Sequence, residues 1–322
     1  MVKRRRGKKS IPPQVSKQIY LSPLQASAEL LEEGTVESIR DAKHRVSELL
    51  KYNWEYYSEL AYQRNQILEE IKQALIQTCL SDYEFRKWQR AVKYKYGLHP
   101  LSTVGSLTYT GGRFNTGEDV NSQVPSFPAL YLASDKDTAL QETLGLRFDI
   151  RSALTPRELA LMNPQSEVLV SVSGKLEKVF DLRSPKTLQP FFELIKGFKF
   201  SEKLILKAKR LNIDPPAIVQ SSSHLLKTLL TTDWQAIPAD GEIPANSQIF
   251  GHLIYQAGIE GILYPSRLTR KKCLTIFPHN FEASSSYLVL DDEPPHIKVC
   301  KRVDSSNWRD CDLSPKELIE GV

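Results

Sequence analysis

A change of texture near residue 80 limits what this chain can fold into more than any other feature. From about 25 to 80, glycine and proline almost vanish, and apolar residues recur at steps of three and four. They run Leu30, Leu31, Val36, Ile39, Val46, Leu49, Leu50, then Leu60, Ile67, Ile71, Leu75 and Ile76. That period puts the apolar side chains on one side of an α-helix, so this region predicts two or three helices with a break near Gly34. The aromatics among them, Tyr52, Trp54, Tyr56, Tyr57 and Tyr62, read as packing residues. After about 85 the apolar runs become short and are separated by Gly, Pro and Ser. They predict strands at 104–110, 129–133, 167–173, 177–181, 261–265 and 273–277. Helical segments are expected at 136–146, 187–197, 221–230 and 246–257, the last with Asn246 and Ser247 as candidate N-caps, and 198–220 reads as a loop. Strands and helices alternate without a regular βαβ rhythm, which points to an α+β fold rather than a doubly wound sheet. The expected organisation is a basic tail (1–24), a helical region (25–84), a main domain (85–281) and a C-terminal tail (282–322).

Composition excludes several classes. With 322 residues, 41% hydrophobic and 25% charged, the chain can bury a substantial core. No apolar run approaches the roughly 20 residues that span a bilayer, and the basic start is followed by prolines and polar residues rather than by a signal-peptide core. A cytoplasmic chain without a membrane partner is the expectation. Six of the first nine residues are Lys or Arg, so the net charge of +5 resides in the tail and the nearly neutral body gives no sign of a nucleic-acid groove. The cysteines, Cys79, Cys273, Cys300 and Cys311, are widely separated and read as reduced. His296 and Cys300 alone have ligand-like spacing and no second pair completes a zinc set, so no metal site is expected.

The candidate chemistry is concentrated in 111–145, GGRFNTGEDVNSQVPSFPALYLASDKDTALQETLG. Paired glycines permit a tight turn that presents Arg113 at a fixed angle. An arginine fork is suited to pyrophosphate, a strand tyrosine at Tyr131 offers a flat face to a ring, and a helical glutamate at Glu142 can hold a ribose hydroxyl or stabilise positive charge on a sugar. Taken singly, each is more simply a packing or solvated residue. The chain lacks GxGxxG, GxxxxGK[ST] and GxSxG, which argues against a Rossmann dinucleotide loop, a P-loop or a hydrolase elbow. Later, GILYPSR places Ser266 and Arg267 at the end of an apolar strand, where the serine either meets a ligand oxygen or caps its own turn.

The runs GGRFN, ALYLA followed by TALQE, and GILYPSR together resemble the RES domain, a family named for an arginine, a glutamate and a serine. KWQRAVKYKYG resembles its opening segment and NSQIFGHLIYQAGIEG its penultimate helix, so the resemblance spans about 85–280. It implies an ADP-ribosyltransferase-like mixed-sheet domain, here with a helical N-terminal extension, and an enzyme that degrades NAD+ at the nicotinamide–ribose bond by phosphorolysis or hydrolysis. NAD+ would be the substrate, inorganic phosphate a possible co-substrate, and no cofactor would be needed. Arg113, Glu142 and Ser266 would be catalytic, with Arg90, Tyr131 and Arg267 binding substrate. Many relatives are bacterial toxins restrained by an antitoxin that carries a helix-turn-helix DNA-binding domain, and dimers are common among them. Three departures from the compact pattern stand out: the helical N-terminal portion, a longer segment at 116–126, and 198–220. Two other readings share the pocket, an ADP-ribosyltransferase acting on a macromolecule and a non-catalytic NAD-binding regulatory module.

Overall fold

The structure, a computed structural model, describes residues 33–97, 99–120, 125–144, 167–236, 238, 243–293 and 299–312. The basic tail 1–24 and the middle of the 116–126 segment lie outside the described residues. The chain divides into two units, Met1–Lys51 and Tyr52–Val322. The described part of the first is the start of a helix, α1, Glu33–Gln66, in which Glu48 and Lys51 pair at 2.9 Å. This helix runs on past Gly34, the expected break; the interruption comes instead at Ile67, before α2, Leu68–Ile76. Glycine costs only about 1 kcal/mol inside a helix and is cheapest in its first turn, where fewer hydrogen bonds depend on it.

The second unit contains the rest of α1 and a seven-stranded sheet. Its strands in chain order are β1 (Leu80–Lys93), β4 (Leu130–Ala133), β5 (Glu167–Asp181), β6 (Gly261–Pro265), β7 (Lys272–Ile276), β8 (Tyr287–Leu290) and β9 (Arg302–Val303). A separate two-stranded ribbon joins β2, Gly111–Gly112, to β3, Asn115–Thr116. The sheet order is β1-β4-β7-β6-β5-β8-β9, and β1 also pairs with β5, so the first five strands close on one another. Strands β5 and β6 run parallel and every other pairing is antiparallel. The fold is therefore α+β with a mixed sheet. Closure depends on the length of β5. One edge of it pairs with β1 from Leu80↔Val179 to Lys93↔Glu167, while the other is divided between β8 (Val172–Lys175) and β6 (Val179–Asp181).

Period-two alternation in each strand separates two cores. In β4, Leu130 and Leu132 face one of them together with Leu263, Leu274 and Ile276, while Ala129, Tyr131 and Ala133 face the other with Ile262 and Tyr264. The second core is covered by α2, by α4 (Gln189–Ile195), by α6 (Ser222–Leu229) and by α7 (Asn246–Gln256).

Several expected elements form as read, among them β4, β6, β7 and the helices at α3 (Lys136–Leu144), α4, α6 and α7. Others differ. Residues 104–106 form a 3₁₀ turn rather than a strand, and 167–173 and 177–181 join into the single strand β5. The expected loop at 198–220 contains helix α5, Glu202–Leu211, capped by Ser201 and ended by Asn212 in the left-handed region. The region read as a C-terminal tail contributes β8 and β9, because Leu288, Leu290 and Val303 complete the first core. From Tyr52 onward α1 is tied to α5 and the residues before it: Glu59 accepts from Ser201, Lys207 pairs with Glu55 at 3.0 Å, and Tyr56 stacks on Phe200 at 5.0 Å. Those aromatics pack as expected, except Tyr62, which is 68% exposed.

Candidate active site

Two turns and one helix present the charged residues. The first turn is the hairpin between β2 and β3, with Arg113 and Phe114 as its two central residues. Tight approach dictates its composition: a Cβ on Gly112 would collide with the Tyr131 hydroxyl, and one on Gly251 of α7 would collide with the Phe114 carbonyl. Gln248, fully buried in α7, directs its amide nitrogen at the carbonyls of Thr110 (2.7 Å), Gly112 (3.1 Å) and Asn115 (3.0 Å), while its oxygen accepts from Ala245 N at 2.9 Å. Cap and clamp are thus one side chain, and the expected caps Asn246 and Ser247 fall inside the first turn. Asn115 accepts from Gly112 N and from the Tyr131 hydroxyl (2.7 Å) and donates to Ser106 O and Phe127 O. The Tyr131 hydroxyl also accepts from Phe114 N at 3.0 Å. Burial pushes the Tyr131 phenol far above its ordinary pKa, so it stays a neutral donor.

Arg113 leaves this turn 8% exposed, donates from Nη1 to the Thr231 carbonyl at 2.7 Å, and lies 5.7 Å from the Trp234 ring centroid. Among the described residues that is its one hydrogen bond. The Phe114 ring beside it packs edge-on against Tyr264 of β6 at 4.9 Å.

The second turn, 266–271, joins β6 to β7. Ser266 is fully buried at its start. Its N–H donates to Lys271 O, its Oγ accepts from Leu268 N (3.1 Å) and Thr269 N (3.0 Å), and the same Oγ donates to Glu142 Oε1 at 2.5 Å. A hydroxyl has one donor and two acceptor positions, and all three are taken. Ser266 therefore caps its own turn and holds the glutamate at once. Arg267 follows it, half-buried in the same turn.

Glu142 reaches Ser266 because α3 is fixed to this turn at its N-terminus. Asp135 caps the helix, accepting from Thr138 N (3.1 Å) and Thr138 Oγ1 (2.8 Å), Thr138 meets Thr269 at 3.0 Å, and Lys271 pairs with Asp135 at 3.2 Å. Burial pushes the Asp135 carboxyl up, but Thr138 and Lys271 together outweigh it and hold it below its ordinary value. Glu142 sits seven positions into the helix, half-buried, and among the described residues nothing bonds its second oxygen.

The two charges converge on β6 and β7. Burial pushes the Tyr264 phenol and the Cys273 thiol well above their ordinary values; Glu142 adds to the rise in both and Arg113 opposes it. Arg113, Tyr131, Glu142 and Ser266 thus surround the same strand ends. Arg90 stands apart. On β1, Ala91 packs with the core that contains Tyr131, whereas Trp88 packs with the opposite one, and Arg90 follows Trp88. Its Nη2 donates to Ser102 O at 2.6 Å, its other nitrogens lack a described partner, and burial lowers its pKa to about 10.

The RES domain family model matches residues 87–193 and 186–296, together about two-thirds of the chain. The chain belongs to the RES domain family. The two matched stretches form one RES domain, since β5 in the first pairs with β6 and β8 in the second. Among solved structures, a chain of the M. tuberculosis MbcT–MbcA toxin–antitoxin complex is similar at 14% identity and a TM-score of 0.38, covering 76% of this chain and 97% of that one. No curated protein matches the chain.

Sequence reasoning singled out Arg113, Tyr131, Glu142 and Ser266 but missed what holds them: Gln248, Asn115, Thr231 and Asp135. Gln248 lies within the NSQIFG run, whose Gly251 signals a close approach; Thr231 carries no signal, since only its backbone is used.

Proposed function

We propose that this RES domain cleaves the nicotinamide–ribose bond of NAD+, on an ADP-ribosyltransferase-like fold. The observation that carries the reading is a half-buried glutamate tethered through one oxygen by a serine with no bonding capacity left, its other oxygen without a partner among the described residues, on the same strand ends as a turn arginine with donors to spare. Such a carboxylate can hold a ribose hydroxyl and stabilise the oxocarbenium-like charge that develops as the C–N bond breaks. Nicotinamide departs as a neutral base with the bonding pair. A phosphate oxygen or water then forms the new bond to the ribose carbon, water losing a proton. Arg113 binds the pyrophosphate through donors not used on Thr231. Tyr131, whose hydroxyl is committed to the turn, contributes its ring face, and Arg267 lies beside the phosphate path. Ser266 acts as a positioning residue for Glu142. Arg90 joins the pocket only if substrate draws its two unpaired nitrogens toward a phosphate.

Family membership also makes the chain a candidate toxin whose partner is an antitoxin with a helix-turn-helix domain. Purified protein incubated with NAD+ should release nicotinamide, and the other product, ADP-ribose or its phosphate ester, identifies water or phosphate as the nucleophile. Glu142→Ala that folds normally yet releases nicotinamide at the wild-type rate would overturn the assignment. Expression in bacteria should drain NAD+ and arrest growth, and Arg113→Ala should relieve both. Label from NAD+ appearing on macromolecules rather than in small products would redirect the reading to an ADP-ribosyltransferase.

A further inference from the structure

A partly open cavity lies away from the candidate active site, lined by α1, α4, α6, α7 and the segment 217–219, and none of Arg113, Tyr131, Glu142 or Ser266 lines it. Its volume is about 110 Å3 and its walls are mostly apolar, including Leu60, Phe191, Val219, Leu225, Ile249 and Leu253. One charged residue lines this wall, Arg64.

Arg64 differs from the polar residues preceding it on α1. Glu55 pairs with Lys207, Glu59 takes Ser201, and Gln63 bonds both ways with the backbone of Lys199. The Arg64 side chain makes no hydrogen bond or ion pair with any described residue. Burial lowers its pKa to about 10, so it remains cationic at neutral pH. A cation withdrawn from water without an anionic partner is costly, and such groups are generally paired. Here the residue is half-buried and lines the cavity.

We propose that this cavity is a binding site for a small monocarboxylate with a compact apolar body, its carboxylate on Arg64 and its body among Phe191, Leu225 and Leu253. Charge and size both select this class. A planar carboxylate matches the guanidinium fork with two parallel bonds. A phosphate dianion would leave charge against apolar walls with only one cation to compensate it. Benzene occupies an engineered closed cavity of about 150 Å3; this cavity, about 110 Å3 and partly open, suits a body no larger, a six-membered ring or a chain of five or six carbons. Dinucleotides are excluded, since pockets for larger ligands run from about 300 Å3 upward. The site is independent of the NAD+ reading, although α7 also supports the turn that holds Arg113.

The test is a titration of the full chain with benzoate and with hexanoate, followed by NMR of the leucine and valine methyl groups, with toluene as the uncharged counterpart. Saturable shifts at Leu60, Val219, Leu225 and Leu253 are expected with at least one of the acids. Arg64→Met should weaken that acid at least tenfold while leaving toluene within twofold. Val219→Phe, which fills the cavity, should abolish both. Absence of saturable shifts with both acids, or binding unchanged in either variant, overturns the proposal. Should Arg64→Met fail to fold, Val219→Phe decides it alone.

Discussion

The carboxylate half and the arginine half of the candidate site are held in opposite ways. Glu142 is positioned by charged and hydroxyl groups within two neighbouring elements, the start of α3 and the β6–β7 turn, where Asp135, Thr138, Ser266, Thr269 and Lys271 bond one another. Arg113 is positioned by neutral amides from distant parts of the chain, with Gln248 spanning 138 residues to Thr110 and Arg113 itself reaching 118 residues to Thr231. The first arrangement fixes an oxygen atom to which charge must be delivered. The second fixes a backbone turn and ties the guanidinium by one hydrogen bond, to Thr231 O. Substitutions in the carboxylate half should therefore act mainly on turnover, and those in the arginine half on stability and substrate affinity.

The largest effect expected is from Glu142→Gln, which keeps the shape and removes the negative charge. Loss of one transition-state electrostatic contact commonly costs about 10²–10³ in turnover. Nicotinamide release should fall by that factor with the thermal midpoint nearly unchanged; a change in KM alone would make Glu142 a ground-state binder and erase the contrast between the halves.

Ser266→Ala comes next, at about ten- to a hundredfold in kcat with KM little altered, since a modest misplacement of a reacting group can cost about 10². It should also lower stability by about 1 kcal/mol, because Leu268 N and Thr269 N, in a half-buried turn, lose the acceptor that the buried Ser266 provides. Ser266→Thr, which restores the hydroxyl, should recover part of the rate. A direct bond from Ser266 to the nucleophile would instead appear as a changed dependence on phosphate concentration.

In the arginine half, Gln248→Met removes a donor from three turn carbonyls, of which Thr110 O keeps Gly117 N, and the acceptor of Ala245 N, for a destabilisation of about 2–3 kcal/mol in chemical unfolding. KM for NAD+ should rise more than kcat falls. Equal effects on both would mean that the two halves are not mechanically separate.

How far the sequence discloses the molecule follows the same division. Strands β4, β6 and β7 and helices α3, α6 and α7 are legible because each has an uninterrupted apolar pattern bounded by Gly, Pro, Ser or Asn; Glu142 lies in one of those elements and Ser266 directly follows another, while Asp135, which caps α3, is not legible. Strand β1 is not, since no Gly or Pro separates it from α2 and its run LSDYEFRKWQRAVK mixes charged residues with the apolar ones that close the sheet. Strand β5 reads as two because Gly174 falls within it. The position of Arg113 is legible from its glycines, but its supports are not: a glutamine that clamps three carbonyls and a threonine used through its backbone look like any other polar residues until the chain folds. Arg90 shows the same limit from the other side, since a motif gives its identity but not the face of β1 it occupies.

Asp135→Asn is the smallest effect, and it isolates the charge in the carboxylate half, since asparagine caps a helix about as well as aspartate. What is lost is the attraction to Lys271, whose side chain is 57% exposed, and to the helix N-terminus, about 0.3–1 kcal/mol between them. The folded pKa of Asp135 lies below the ordinary 3.8. Its stabilisation is thus complete when pH exceeds the unfolded value and disappears as pH falls through the folded one. Urea unfolding at pH 7 should show the wild type more stable than the variant by that small margin, and the difference should close only below the ordinary aspartate range. A difference that persists undiminished in strong acid would assign the role of Asp135 to hydrogen-bond geometry, and the carboxylate half would then be held by neutral contacts as the arginine half is.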